Sequence, residues 1–422
     1  MTIPEVNTAE PIVGRAPARP VGPRLRVWAL RVVFWGAVVS LIGLNAWWAW
    51  EARPLPDRKA IEGLIAQNQY EEAGRQLRAQ LRQSPHNGEA RTMLSRVLTA
   101  QNDLRGSAGQ LHQVPYWWPT KADALFMEGR FEMASGRAKA AEAAWKASLA
   151  VDPFHPTPAE ALTGSVTELV KLYSIEERWQ EARGLLWWAY RQTNPSERGQ
   201  ILILLVWIEL LKPDPEQNGT KLRRFVQAMA DDWDARRALA RLEMSVGNGP
   251  EATRQIKACL QARPDDATTW RDWLTILTKQ GDRDGLQAAM AKLPAAADND
   301  AEIWKLKGQL RERTRDWAGA ADAYRKAMAI QPADEESLYR LAIVQERLGQ
   351  RDEAAALRKR TSEMRAAREE LRKAYDEYLD ILNQPGVASN SLGASINHLA
   401  SLCETLGWTR LAEAWRSLLP RS

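Results

Sequence analysis

Cysteine is almost absent. Only Cys259 and Cys403 occur in the 422 residues. Neither lies in a CxxC pair or a Cys/His cluster, which excludes the metal knuckles built on those spacings. Both fall in apolar, helix-like runs, where a small buried thiol is the expectation. Histidine is equally thin. His86, His112, His155 and His398 are scattered, and His86 and His155 adjoin prolines in loop-like segments. No metal site and no cofactor are expected. The glycine-rich phosphate and dinucleotide loops, the paired-histidine zinc helix and the serine-nucleophile elbow are all missing. Acids do occur in pairs (Asp231-Asp232, Asp265-Asp266, Glu335-Glu336, Glu369-Glu370), but at helix starts or on charged faces, where the macrodipole or water satisfies them. Neither an enzyme nor a small-molecule substrate is expected. Val, Ile and Thr are sparse beyond residue 50, and the Ala, Leu, Arg, Glu and Gln that replace them lose little rotamer freedom in a helix.

A one-sided charge is also lacking. The formal charge is +5. Residues 1–50 hold five arginines (15, 19, 24, 26, 31) against Glu5 and Glu10, a net of +3, which leaves +2 for the whole remaining chain. A duplex binder needs a concentrated basic face to displace counterions, so no nucleic-acid partner is expected.

One long uncharged run is present. Val32 to Trp50 reads VVFWGAVVSLIGLNAWWAW, with no charge between Arg31 and Glu51. As a helix it covers about 28 Å, close to the hydrocarbon thickness of a bilayer. Trp47, Trp48 and Trp50 close it with an interfacial aromatic cluster, and Arg24, Arg26 and Arg31 precede it. No small-residue cleavage site follows, so the run reads as an anchor and not a cleaved signal. The charge bias places the N-terminus in the cytoplasm and the body in the periplasm of a bacterial inner membrane. Residues 1–24 then form a disordered tail rich in Pro and Arg, 25–50 a transmembrane helix in contact with the lipid bilayer, and 51–57 a linker. A second apolar run, Ile201–Leu211, is too short to span and contains Glu209; it predicts a buried helix.

From residue 58 the chain repeats with a period near 34 residues. The clearest copy is 301–332, where Gly308 permits close helix approach, Ala320, Tyr324 and Ala327 line a second helix, and Pro332 stops it. The frame returns at Ala73, Leu77 and Pro85; at Ala141, Trp145, Ser148 and Pro153; at Ala182, Leu186 and Ala189; and at Ala252, Ile256, Cys259 and Pro264. This pattern resembles the tetratricopeptide repeat (TPR) family. The resemblance covers about 58–366, with degenerate central copies. It implies an all-α, right-handed solenoid of helix hairpins, each burying its apolar stripe against its neighbours. Residues 367–422 are expected to extend the last helix and end in a capping helix pair.

The resemblance also implies a concave groove lined from the first helix of each hairpin, for a protein or peptide partner of acidic or amphipathic character. The lining positions are Phe126, Arg130 and Met133; Arg237 and Arg241; Lys305, Gln309 and Arg313; and Tyr339, Ile343 and Arg347. Arg130, Arg241 and Gln309 stand where chaperone-tail receptors of the family carry asparagine, which disfavours that ligand. The loop aromatics Trp117 and Trp118, between Pro115 and Pro119, are a separate candidate anchor for a partner. The expected function is that of a single-pass scaffold in envelope assembly, secretion or quality control. Two alternatives stand beside it. A cytoplasm-facing regulator of lipopolysaccharide synthesis would share this layout, but the tail lacks the paired CxxC of that group. A catalytic C-terminus is disfavoured because 367–422 is too short to house one.

Overall fold

The computed structural model describes residues 34, 37–43, 57–150, 159–211, 214–383 and 389–419. Every regular element from residue 57 onward is helical, and no strand occurs among the described residues. Ten successive helix pairs make up the body: α1 (Arg58–Ala66) and α2 (Tyr70–Gln83); α3 (Gly88–Ala100) and α4 (Leu104–His112); α5 (Lys121–Ala134) and α6 (Ala138–Leu149); α7 (Ala159–Ile175) and α8 (Trp179–Gln192); α9 (Arg198–Leu210) and α10 (Pro215–Ala228); α11 (Trp233–Ser245) and α12 (Gly249–Ala262); α13 (Ala267–Gln280) and α14 (Arg283–Met290); α15 (Ala301–Arg313) and α16 (Trp317–Ile330); α17 (Glu335–Arg347) and α18 (Arg351–Asn383); α19 (Ser389–Thr405) and α20 (Thr409–Arg416).

The turns explain the period. Nine of these pairs reverse through one residue with φ between +53° and +86°: Asn68, Asn102, Gly136, Glu177, Gly247, Gly281, Arg315, Gly349 and Gly407. A left-handed residue at this place ends the first helix and starts the return. Asn68, Asn102 and Gly136 stand one 34-residue period apart, as do Gly247, Gly281, Arg315 and Gly349. Helix starts are fixed by aspartate. Asp103, Asp232, Asp282, Asp300, Asp316 and Asp334 each accept a hydrogen bond from the amide three residues on, at 2.8–3.1 Å. Six aspartates are therefore consumed in capping.

The repeat positions form the core. Ala73, Leu77, Ala141, Trp145, Ala182, Leu186, Ala252, Ile256, Ala320, Tyr324 and Ala327 are all fully buried. Two glycines let the helices of a pair close on a large ring. A Cβ on Gly308 would meet Tyr324 at 2.6 Å, and one on Gly129 would collide with the Trp145 indole. Cys259 and Cys403 are buried free thiols, both pushed up to about 12 by burial.

One pair breaks the pattern. Between α9 and α10 there is no left-handed turn among the described residues, and the two helices take different partners. Helix α10 packs on α11 and α7, while α9 packs on α8 and on the C-terminal helices α18 and α20. From Ile201 to Ile208 helix α9 is apolar all round, and Ile201, Leu202, Leu205, Val206 and Ile208 are buried. Such a helix needs cover on more than one side. The cover is the C-terminus. The 33-residue α18 leaves the last regular hairpin and carries the chain back to the middle. There Leu371, Tyr375, Tyr378, Leu399, Cys403 and Trp415 join the α9 residues in one core. The array thus closes on itself instead of ending free.

Among the described residues no helix is long and apolar enough to cross a membrane. The expected anchor at 25–50 lies largely outside the described residues. Residue 34 and residues 37–43 are helical, with Phe34, Val39, Leu41 and Ile42 all more than 60% exposed.

Candidate functional site

Closure of the array creates a cavity of about 1300 Å³. Its wall comes from α8, α11, α13, the turn after α16, α18 and the start of α20. Two buried charge networks build it, and a set of outlying cations completes it.

The first network surrounds Arg178, at the turn into α8. Its guanidinium donates to Glu142 at 2.8 Å, to Glu176 at 2.8 Å and to Glu181 at 2.7 Å, and lies over the Tyr173 ring at 4.4 Å. Lys146 also pairs with Glu142 at 2.6 Å, so two cations face three carboxylates. Burial raises Glu142, but its paired hydrogen bonds from Arg178 win and lower it to about 2. Burial dominates at Glu176, 1% exposed, and raises it to about 8 despite Arg178. Glu176 is therefore the member held protonated near neutrality.

The sign of its linkage follows. A carboxyl raised in the folded state binds its proton more tightly there than in the unfolded chain, so it loses stability as pH rises from its ordinary 4.5 to about 8. The slope reaches up to about 1.4 kcal/mol per pH unit for one proton. Urea midpoints measured across that window are expected to decline in the native protein, and Glu176→Gln is expected to flatten the decline.

The second network centres on Asp272 of α13, 2% exposed. Arg237 donates to it at 2.8 Å, Arg271 at 3.2 Å, and Arg241 lies 3.5 Å away. Burial would raise this carboxyl, but Arg241, Arg271 and Arg237 outweigh it and lower it below the usual range. Arg241 also pairs with Glu177, and Arg271 with Asp300 at 3.4 Å. The network thus ties four hairpins together. Glu177 holds its place with φ +53°, a conformation strained for a non-glycine residue.

The remaining wall is unbalanced. Each acid facing the cavity has a partner: Glu209 takes Arg183, Asp234 takes Arg263 at 3.1 Å, Glu302 takes Lys305 at 2.7 Å, and Asp266 caps α13. Lys279, Arg368 and Arg410 also line the cavity and have no ion pair among the described residues. Arg410 lies over the Trp187 ring at 3.9 Å. Trp179, Trp187 and Trp408 add half-buried indole surface. The cavity therefore offers spare positive charge beside aromatic faces.

Of the lining positions expected from sequence, Arg237 and Arg241 face this cavity. The others lie elsewhere. Phe126 and Met133 pack against the central core, and Arg130 is exposed, 6.0 Å from the Phe126 ring. Lys305 is buried. Burial alone would lower its ammonium, but Glu302, Asp334 and Glu336 hold it above its ordinary value. Gln309 donates to Glu336 at 3.1 Å. Arg313 and Arg347 are exposed, Ile343 is half-buried, and Tyr339 lies under Arg365. Trp118 folds over the start of α3, where a Cβ on Gly88 would meet its ring at 2.5 Å, and Trp117 lies against Trp118 with centroids 5.7 Å apart and planes tilted by 51°. Arg178, Arg271, Asp272, Arg368, Arg410 and Trp187 escaped the sequence reading. Only Asp272 left a signal, as an acid set between Trp270 and Trp273.

These features define a helical-hairpin repeat protein closed around a charged cavity. The tetratricopeptide repeat family model matches residues 64–117, so that stretch carries repeats of the family. No curated protein matches it. Similar solved structures include PilF of Pseudomonas aeruginosa (14% identity, covering 53% of this chain and 90% of that one, TM-score 0.32). A tetratricopeptide repeat protein from Parabacteroides merdae gives 15% identity, 61% and 98% coverage, and a TM-score of 0.31. A monomeric IFIT1 mutant solved with Gppp-AAAA gives 14% identity, 78% and 90% coverage, and a TM-score of 0.36.

Proposed function

We propose that this protein is a non-enzymatic scaffold, anchored in a bacterial inner membrane through residues 25–50, whose extracytoplasmic array holds an acidic segment of a partner protein. Envelope assembly, secretion or quality control is the setting that fits this layout. The observation that carries the reading is the trio Lys279, Arg368 and Arg410, without ion-pair partners among the described residues, in a cavity whose acids are all engaged. An acidic side chain entering there gains charge-assisted hydrogen bonds, and the neighbouring indoles accept its apolar stem. The exposed apolar residues at 34–42 and the arginines before them support the anchor and its orientation.

The test is fluorescence anisotropy with a labelled peptide of Glu, Asp and Leu. Arg368→Ala and Arg410→Ala are each expected to weaken binding about tenfold, the loss of one charge-assisted contact, while Arg313→Ala, outside the cavity, leaves it unchanged. Equal effects from all three, or tighter binding of single-stranded RNA than of the peptide, would overturn the assignment. A periplasm-active reporter fused after Ser422 tests the topology. Activity from a cytoplasm-active reporter alone would reverse it.

A further inference from the structure

The end of the array where the chain enters from residue 57 carries a feature the cavity does not use. Helices α1, α3 and α5 all begin at this edge, and α2 and α4 end there. The loop 113–120 closes it, with Tyr116 at 79% exposure. A chain of contacts joins this loop to the entry point. Arg58, the first residue of α1, pairs with Glu62 at 2.9 Å and with Glu89 at 2.8 Å. The adjacent Gly88 lies beneath the Trp118 ring. Arg91 donates to the Pro85 carbonyl at 3.0 Å and to Gln113 at 2.6 Å, and Lys121 to the His112 carbonyl at 2.8 Å. The same edge exposes Lys59 and Arg82 alongside Asp57, while Arg58 is held by its two acids.

We propose that this edge, through Tyr116 and Trp117 and the cations around them, is a second membrane contact that seats the first hairpins on an anionic lipid headgroup layer. The inference rests on the anchor at residues 25–50. Three observations favour lipid as the occupant. The linker 51–57 reaches at most about 25 Å however it runs, so the edge that begins at Arg58 stays near the bilayer. Tyrosine and tryptophan rings prefer the headgroup boundary. Basic side chains on the same edge draw on the negative potential of anionic lipid near the surface. Trp118, packed on Gly88, fixes the loop so that Tyr116 projects outward.

The test uses the full chain in vesicles of phosphatidylcholine and phosphatidylglycerol. Cys259 and Cys403 are buried, so a thiol-reactive, environment-sensitive dye can be placed singly through Tyr116→Cys, Ser40→Cys and the exposed Arg283→Cys. Lipids carrying a nitroxide near the headgroup are expected to quench the dye at 116 by about half, and to leave 283 unchanged. Headgroup-level quenching at 116 that vanishes when phosphatidylglycerol is omitted supports the cationic part as well. Quenching of a dye at 40 by nitroxides deep in the acyl chains, with none at 116, would leave the anchor standing and overturn this inference. Quenching at neither would overturn both. Quenching at 116 alone would keep the contact as a peripheral one and remove the anchor.

Discussion

Trp415→Ala is expected to lower the stability of the whole central body by about 3–5 kcal/mol, the cost of emptying a buried indole site. Trp415 is fully buried and meets Tyr378 edge-on, with centroids 5.1 Å apart. It belongs to α20, yet the residues that lose their cover include α9, near the middle of the sequence. The urea midpoint should therefore fall for probes placed in both regions together. Trp415→Phe should cost far less. It keeps most of the volume, and the indole N–H it discards is buried with no hydrogen-bond acceptor among the described residues, a group costly to leave unpaired. A midpoint unchanged by Trp415→Ala would mean that the C-terminal pair merely decorates the array.

Asp272→Ala is the second large effect, also about 3–5 kcal/mol. Arg241 keeps Glu177 and Arg271 keeps Asp300 when the carboxylate goes. Arg237, 3% exposed, keeps no partner of comparable strength among the described residues. The penalty is that stranded guanidinium, so the double variant Arg237→Met with Asp272→Leu should regain most of the loss. Because the Asp272 carboxyl lies below its ordinary 3.8 in the folded protein, its stabilisation is complete above that pH and disappears as pH falls through the lower folded value. Denaturation curves at pH 7 and in acid should show the single variant and the native protein converging in acid. A gap that stays constant would place the cost in lost packing instead of charge.

The repeat was legible because its physics is local. Small residues at one offset and a large ring at another, as in Gly308 with Tyr324, mark the positions where two helices meet, and Asn68 or Gly136 marks the reversal. Glu177 and Arg315 take the same left-handed backbone without the residue type that advertises it, so those turns were silent. The site was mostly illegible for a different reason. Its wall joins α8 to α20, a contact exemplified by the Tyr190 and Ser417 hydroxyls at 3.0 Å across 227 positions. The all-round apolarity of α9 announced that it would be buried, but carried no information about which helix would cover it. The groove expected from repeat geometry assumes an array open along its length. Helix α18 turns the chain back instead, so Arg237 and Arg241 line the cavity while Arg313 and Arg347 remain outside it.

Hydrogen exchange at the amides of Ile201–Ile208 tests the closure most directly. In the intact chain these amides are expected to exchange only through global unfolding, at the slowest rate in the molecule, and in a chain ending at Asn383 to exchange orders of magnitude faster while those of Ala320–Ala327 stay protected. Equal protection of Ile201–Ile208 in both chains would contradict the account, because α9 would then be covered by something other than the returning C-terminus.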